Sequence, residues 1–151
     1  MLIPGGAGFI GSHLVEFWQG KAQVRVLDNL RSGYLRNLAG LKYDFIEGSI
    51  LDREAVRCAM IGVDYVFHLA AMISVPKSMQ KPIECNAVNT VGTLTVLEEA
   101  ARAKVKKLVL SSSAAIYGDN PVTPKTESMA PERGSSNFGG FEKGFERISL
   151  P

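Results

Sequence analysis

Near its amino terminus the chain reads Pro4-Gly5-Gly6-Ala7-Gly8-Phe9-Ile10-Gly11-Ser12-His13, with glycines at the spacing that brings a backbone turn against a pyrophosphate. The first glycine of such a turn permits the tight bend. The second lets main chain touch the phosphates, and the third lets the next helix pack closely. That helix adds free N–H groups and a partial positive charge at its start. A glycine triplet alone also describes a flexible surface loop, so the apolar start before it and the helical pattern after it carry the nucleotide reading. Asp28 follows about 20 residues past the central glycine, where a carboxylate can take both ribose hydroxyls of an adenosine and repel a 2′-phosphate. NAD is thereby favoured over NADP, with the nearby Arg31 arguing the other way; an ordinary turn aspartate in Asp28-Asn29 is the plainer alternative. Further on, Ser111-Ser112-Ser113 could offer a hydroxyl to a sugar hydroxyl under oxidation, or could simply satisfy its own backbone at a strand end. His68, alone in an apolar run, reads as a hydrogen-bonded core residue before it reads as an acid–base group. No His and Asp accompany the serines as a hydrolytic triad would require, and the segment is not a nucleophile elbow.

Short apolar runs alternating with helical patterns must position these residues. Strands are expected at Leu2-Ile3, residues 23–27, 43–46, 64–69 and 107–110. Helices are expected from Ser12 to about Gln19, from an Asp52 N-cap to about Ile61, and over about 82–103. The last of these should bury Val88, Val91, Leu94, Val96, Leu97 and Ala101. The alternation implies right-handed crossovers and an α/β fold, a doubly wound parallel sheet of five visible strands in a three-layer αβα sandwich. Ligands on such sheets bind beyond the carboxyl ends of the strands. The glycine turn, Asp28, the Gly48-Ser49-Ile50 segment (placed to flank an adenine), the small residues of Leu69-Ala70-Ala71 and the serines all follow strands.

Composition narrows the classes. The 17 Lys and Arg nearly balance 15 Asp and Glu, which argues against nucleic acid or an anionic membrane as partner. The basic run Lys104–Lys107 reads as a solvated helix end whose cations match the helix dipole. Cys58 and Cys85 have neither a metal-ligand spacing nor a disulfide framework, so buried thiols in a reducing cytoplasm are expected and no metal is implied. No apolar run is long enough to span a membrane, and no secretory leader is visible.

With these residues assembled, the chain resembles the extended short-chain dehydrogenase/reductases, and among them the nucleotide-sugar 4-epimerases. The likeness rests on residues 5–14, Asp28-Asn29-Leu30, His68-Leu69-Ala70-Ala71, Ser74-Val75-Pro76 with Ser78, residues 89–93, and residues 111–118. It implies a Rossmann-type NAD(P)-binding domain over 1–132. It also implies NAD as cofactor, a UDP-hexose or UDP-N-acetylhexosamine as substrate, and a homodimer in the intact family member. By position, Gly5, Gly8, Phe9, Ile10, Gly11, Asp28, Asn29, Leu30, Arg31 and Ser32 would bind pyrophosphate and adenosine. Ser49, Ile50, Leu69, Ala70 and Ala71 would line the rest of the cofactor site. Ser74 and Ala114 would face the sugar nucleotide, and Ser113 would be the catalytic serine. The reaction implied passes hydride from the sugar C4 to NAD and back to the other face. A Tyr, held as phenolate by a Lys four residues on, removes the 4-hydroxyl proton.

The pattern then breaks. No Tyr follows Tyr117. Phe138 stands near the expected place without a hydroxyl, and Lys143 is one residue too far. A one-residue slip turns a helical side chain by about 100°. Gly134, Gly139 and Gly140 also weaken any helix there. Pro4 replaces a usual Thr in a strand with little sequence before it, and Ser49 replaces an Asp that usually binds adenine. Residues 133–151 therefore read as a divergent tail, expected to follow a frame change near Arg133, with the substrate domain missing and the fifth strand left as an open edge. Weak cofactor binding and no turnover are expected of this chain. The alternatives are a nucleotide-sugar dehydratase or decarboxylase, against which Ala114-Ala115 stands, and a non-catalytic NAD-binding sensor.

Overall fold

The computed structural model describes residues 1–118 and 120–130. The chain divides into two compact units, Met1–Ser111 and Ser112–Pro151. In the first unit a five-stranded parallel sheet runs in the order β3-β2-β1-β4-β5. Its strands are β1 (Leu2–Pro4), β2 (Arg25–Asp28), β3 (Asp44–Glu47), β4 (Tyr65–His68) and β5 (Lys107–Leu110). The order reverses beside β1, so the glycine turn lies at the switch point that such sheets use for ligands.

Each face of the sheet is covered. Helix α1 (Phe9–Trp18) lies on one side, where Ile3, Val15, Val24, Val26 and Leu38 form a core. Helices α2 (Arg53–Met60) and α5 (Thr93–Arg102) lie on the other, over Leu2, Leu27, Val56, Met60, Val66 and Val96. Neighbouring residues of one strand thus serve opposite cores, Leu2 one and Ile3 the other, as the pleat requires. The doubly wound, three-layer expectation holds.

Local signals account for several boundaries. Asp52 caps α2, its carboxylate accepting from the Glu54 and Ala55 N–H groups at 3.0 and 3.2 Å. Past α5, Lys104 takes a left-handed φ of 55°, and Lys106 pairs with Asp64 at 2.7 Å. At the end of β1, Pro4 has no N–H to give. Its carbonyl accepts from Leu69 on the β4 side at 2.9 Å, and the β1–β4 register is the single pair Leu2↔Val66, against three pairs between β1 and β2.

Three expectations need correction. The long helix is not uniform: α4 (Pro82–Asn86) passes into a π-helical turn, Ala87–Gly92, before α5. The widened turn shifts the phase of everything after it. Val91 and Leu94 are accordingly 51% and 45% exposed and Ala101 is exposed, while Thr93, Thr95, Glu99 and Ala100 turn inward beside Val96 and Leu97. A short helix, α3 (Val75–Gln80), stands where the sequence pattern predicts no element; Ser74 caps it and Pro76 sits in its first turn. The thiols are not buried either. Cys58 is exposed on the outer face of α2 and Cys85 half-buried on α4, and neither forms a disulfide. The segment 131–151, with Phe138 and Lys143, lies outside the described residues.

Candidate dinucleotide site

The glycine turn is built by exclusion. Gly5 has φ +83°, and a Cβ there would stand 2.6 Å from the Ala70 nitrogen, so the turn rests directly on the loop after β4. A Cβ on Gly11 would fall 2.4 Å from the Gly5 carbonyl oxygen, which is what permits α1 to start so close to the turn. Gly8 differs. It precedes α1 in an extended conformation, and its missing Cβ would meet nothing nearer than the Gly5 carbonyl oxygen at 3.3 Å. Gly8 has no side chain to cap the helix, and no acidic residue occupies the first turn. The first N–H groups of α1 therefore have no side-chain cap, an arrangement that fits a phosphate group. Beside them Phe9 and Ile10 are 79% and 59% exposed, two large apolar side chains kept in the open at the mouth of the turn.

Asp28 ends β2, nearly buried. One carboxylate oxygen accepts from the Ala7 N–H at 3.0 Å and the other from the Leu30 N–H at 2.8 Å. Two of about four acceptor positions are thus used, and two remain for a ribose diol. The bond to Ala7 fixes the glycine turn, and the bond to Leu30 holds that residue at φ +56°, a conformation a leucine seldom adopts unaided. The Ala7 carbonyl in turn accepts from the Tyr34 N–H at 3.1 Å and from the Asn37 amide at 2.8 Å. Asn29 accepts from the Arg31 N–H at 3.2 Å. The Arg31 guanidinium is ion-paired with Glu84 on α4. Ser32 is exposed on the same loop.

Around this frame the remaining expected residues divide. Ser49 accepts from the Leu51 N–H at 3.1 Å. Ile50 is 4% exposed and packs on Gly92, where a Cβ would stand 2.6 Å from its side chain, so a ligand would meet its backbone. Leu69 and Ala70 pack against opposite cores, and Ala71 is exposed. Ser74 has a structural task, accepting from the Lys77 N–H at 3.4 Å as the α3 cap. Ser113 and Ala114 belong to the second unit, where the Ser113 carbonyl accepts from Ile116 at the start of the 3₁₀ turn Ala114–Tyr117.

His68 is a core residue. It is 1% exposed, its Nε2 lies 3.0 Å from the Thr93 hydroxyl, and burial lowers its pKa to about 4. Two asparagines hold the site's loops through partners that the sequence pattern does not predict. Asn37 is one; Asn89 is the other, its amide oxygen accepting from the Met72 N–H at 2.7 Å while its NH₂ donates to the Met72 carbonyl at 3.1 Å. Asn89 stands in the Asn89–Thr93 motif, but nothing local to that motif points to Met72. No group of metal-ligating side chains and no membrane-spanning helix occurs among the described residues.

A parallel sheet wound in this order, with a glycine turn and a carboxylate at its switch point, is a dinucleotide-binding fold. Residues 1–139 match the model of the NAD dependent epimerase/dehydratase family, and the chain belongs to that family. It is 43% identical to the UDP-glucose 4-epimerase of Yersinia enterocolitica over 95% of this chain and 45% of that protein. Among solved structures, it resembles the UDP-glucose 4-epimerase of Thermus thermophilus in complex with NAD, at 37% identity and a TM-score of 0.85 over 96% of this chain and 48% of the other. The UDP-N-acetylglucosamine 4-epimerase of Methanobrevibacter ruminantium, in complex with UDP-N-acetylmuramic acid, gives 34% identity and a TM-score of 0.82 over 95% and 46%. The chain spans about half the length of the curated relatives it matches.

Proposed function

We propose that this chain carries the NAD-binding part of a nucleotide-sugar 4-epimerase acting on UDP-hexoses or UDP-N-acetylhexosamines. The observation that carries the reading is the uncapped start of α1 beside Gly8, next to the Asp28 carboxylate. The α1 N–H groups would hold the pyrophosphate, Asp28 the adenosine ribose, and Phe9 and Ile10 would shield the dinucleotide from water. Asn29 to Ser32, the Ser49-Ile50 backbone and Leu69 to Ala71 would form its walls. When bound, NAD supplies a hydride acceptor and donor for the sugar carbon. Ser113 would hydrogen-bond the sugar hydroxyl that loses its proton, with Ser74 and Ala114 on the sugar-nucleotide side. A reducing cytoplasmic setting accords with two cysteines outside any disulfide. Homodimerisation belongs to the same reading and rests on the resemblance alone.

Phe138, standing without a hydroxyl near the expected place of the tyrosine, favours a second reading, a module that binds NAD without turnover. Calorimetric titration with NAD, alongside an assay for interconversion of UDP-glucose and UDP-galactose and of their N-acetyl forms, separates the two. Weak saturable binding without turnover by this chain is the expected result. Epimerisation at an ordinary rate would show that another group replaces the tyrosine. Gly8→Val tests the site itself: the added Cβ would meet the Gly5 carbonyl oxygen at a tight 3.3 Å, so the melting temperature should drop by a few degrees at most, while NAD affinity falls by about tenfold or more as the phosphate approach is filled. Unchanged affinity would place the cofactor elsewhere.

A further inference from the structure

Arg31 lies three residues beyond Asp28, on the loop that would face the adenosine ribose. An arginine so placed is a ready receptor for the 2′-phosphate of NADP, and left to itself it would blur the preference that Asp28 establishes. Its backbone is fixed, because the Arg31 N–H donates to Asn29 and the preceding Leu30 N–H donates to Asp28. What remains free to choose a direction is the side chain. Its guanidinium reaches across 53 residues of sequence to Glu84 on α4. The other Glu84 oxygen is 3.5 Å from the Lys81 ammonium. Arg31, and secondarily Lys81, hold the Glu84 carboxyl below its ordinary pKa, so it remains charged at neutral pH.

We propose that Glu84 is a specificity-determining residue of the dinucleotide site, which disfavours NADP by engaging the Arg31 guanidinium that would otherwise meet a 2′-phosphate. Glu84 acts through Arg31, so it is a positioning residue. Both partners are over a third exposed, so the pair competes with solvent and its grip is modest. A 2′-phosphate must displace the carboxylate and tolerate its charge nearby; NAD meets neither obstacle. This inference rests on the dinucleotide reading above.

The test measures dissociation constants of NAD and NADP on the full chain by calorimetry, for wild type, E84Q, R31Q and the double variant. E84Q should tighten NADP about fivefold and leave NAD within about twofold, the scale set by an exposed ion pair. In the R31Q background the same change should leave NADP affinity unaltered. Thermal melts of all four proteins check that each is folded. NAD binding with no NADP gain in E84Q overturns the role of Glu84 while sparing the site. A gain that persists without Arg31 reduces the effect to bulk charge and also overturns it. Failure of every protein, wild type included, to bind either dinucleotide overturns the site reading and this inference together.

Discussion

The loops after β2 and β4 flank the same glycine turn but are held in different ways. The β2 loop ties itself down: Asp28 binds Leu30 two residues on, and Asn29 binds Arg31 two residues on. The β4 loop ties itself locally at its far end, where Ser74 accepts from the Lys77 N–H, but its middle is held from a distance. It is pinned at Met72 by Asn89, 17 residues later, and the strand that leads into it is anchored by His68 on Thr93, 25 residues later. A self-tied loop keeps its shape whenever its own strand is formed. A loop pinned from a helix keeps its shape only while that helix is docked, so the β4 side should be the more responsive wall of the site.

Substitutions can break this contrast or sharpen it. The largest effect belongs at the seam. Gly5→Val should destabilise the fold by about 3 to 5 kcal/mol in urea melts, combining a left-handed backbone with a clash against Ala70. A loss under about 1 kcal/mol would mean that the turn does not rest on the β4 loop.

Acid should act on the β4 side next. The unfolded chain protonates an imidazole near pH 6.5, whereas buried His68 resists until about 4, so between those values the unfolded state holds the extra proton. Stability should therefore fall as pH drops from 7 to 4.5, by about 2 to 3 kcal/mol from this residue. His68→Gln, which keeps a partner for Thr93, should flatten that slope; a slope unchanged in the variant assigns it to other groups.

The smallest effect is the most local. Asn89→Ala should cost about 1 to 2 kcal/mol and speed amide exchange around Met72, while the Leu30 and Arg31 amides keep their protection. Equal loosening of both loops would erase the distinction.

The same division explains what could be read along the chain. The glycine turn, Asp28 and the Asp52 cap are legible because their geometry closes within a few residues or follows the switch-point rule. Asn37, Asn89 and Glu84 are not, because each gains its task from a partner that only the folded chain brings near. Along the long helix Val96 and Leu97 are buried as expected, while Val91, Leu94 and Ala101 are not, for another reason. A constant 3.6-residue period cannot register one widened turn, so it predicts Leu94 inward, where the structure instead turns Thr93 in as the partner of His68. Ser74 also starts a helix, a task that the sequence pattern does not announce.

Pro4 gives the sheet a mechanical grain. Beside it the β1–β4 ladder has one register pair, where β1–β2 has three and β2–β3 and β4–β5 have four each, so the shortest ladder lies between two leaves, β3-β2-β1 and β4-β5. The glycine turn sits on the first leaf and Ala70 on the second, so any molecule seated against both acts as a staple across the join. A ligand seated there would add contacts across the sheet where its backbone ladder is shortest.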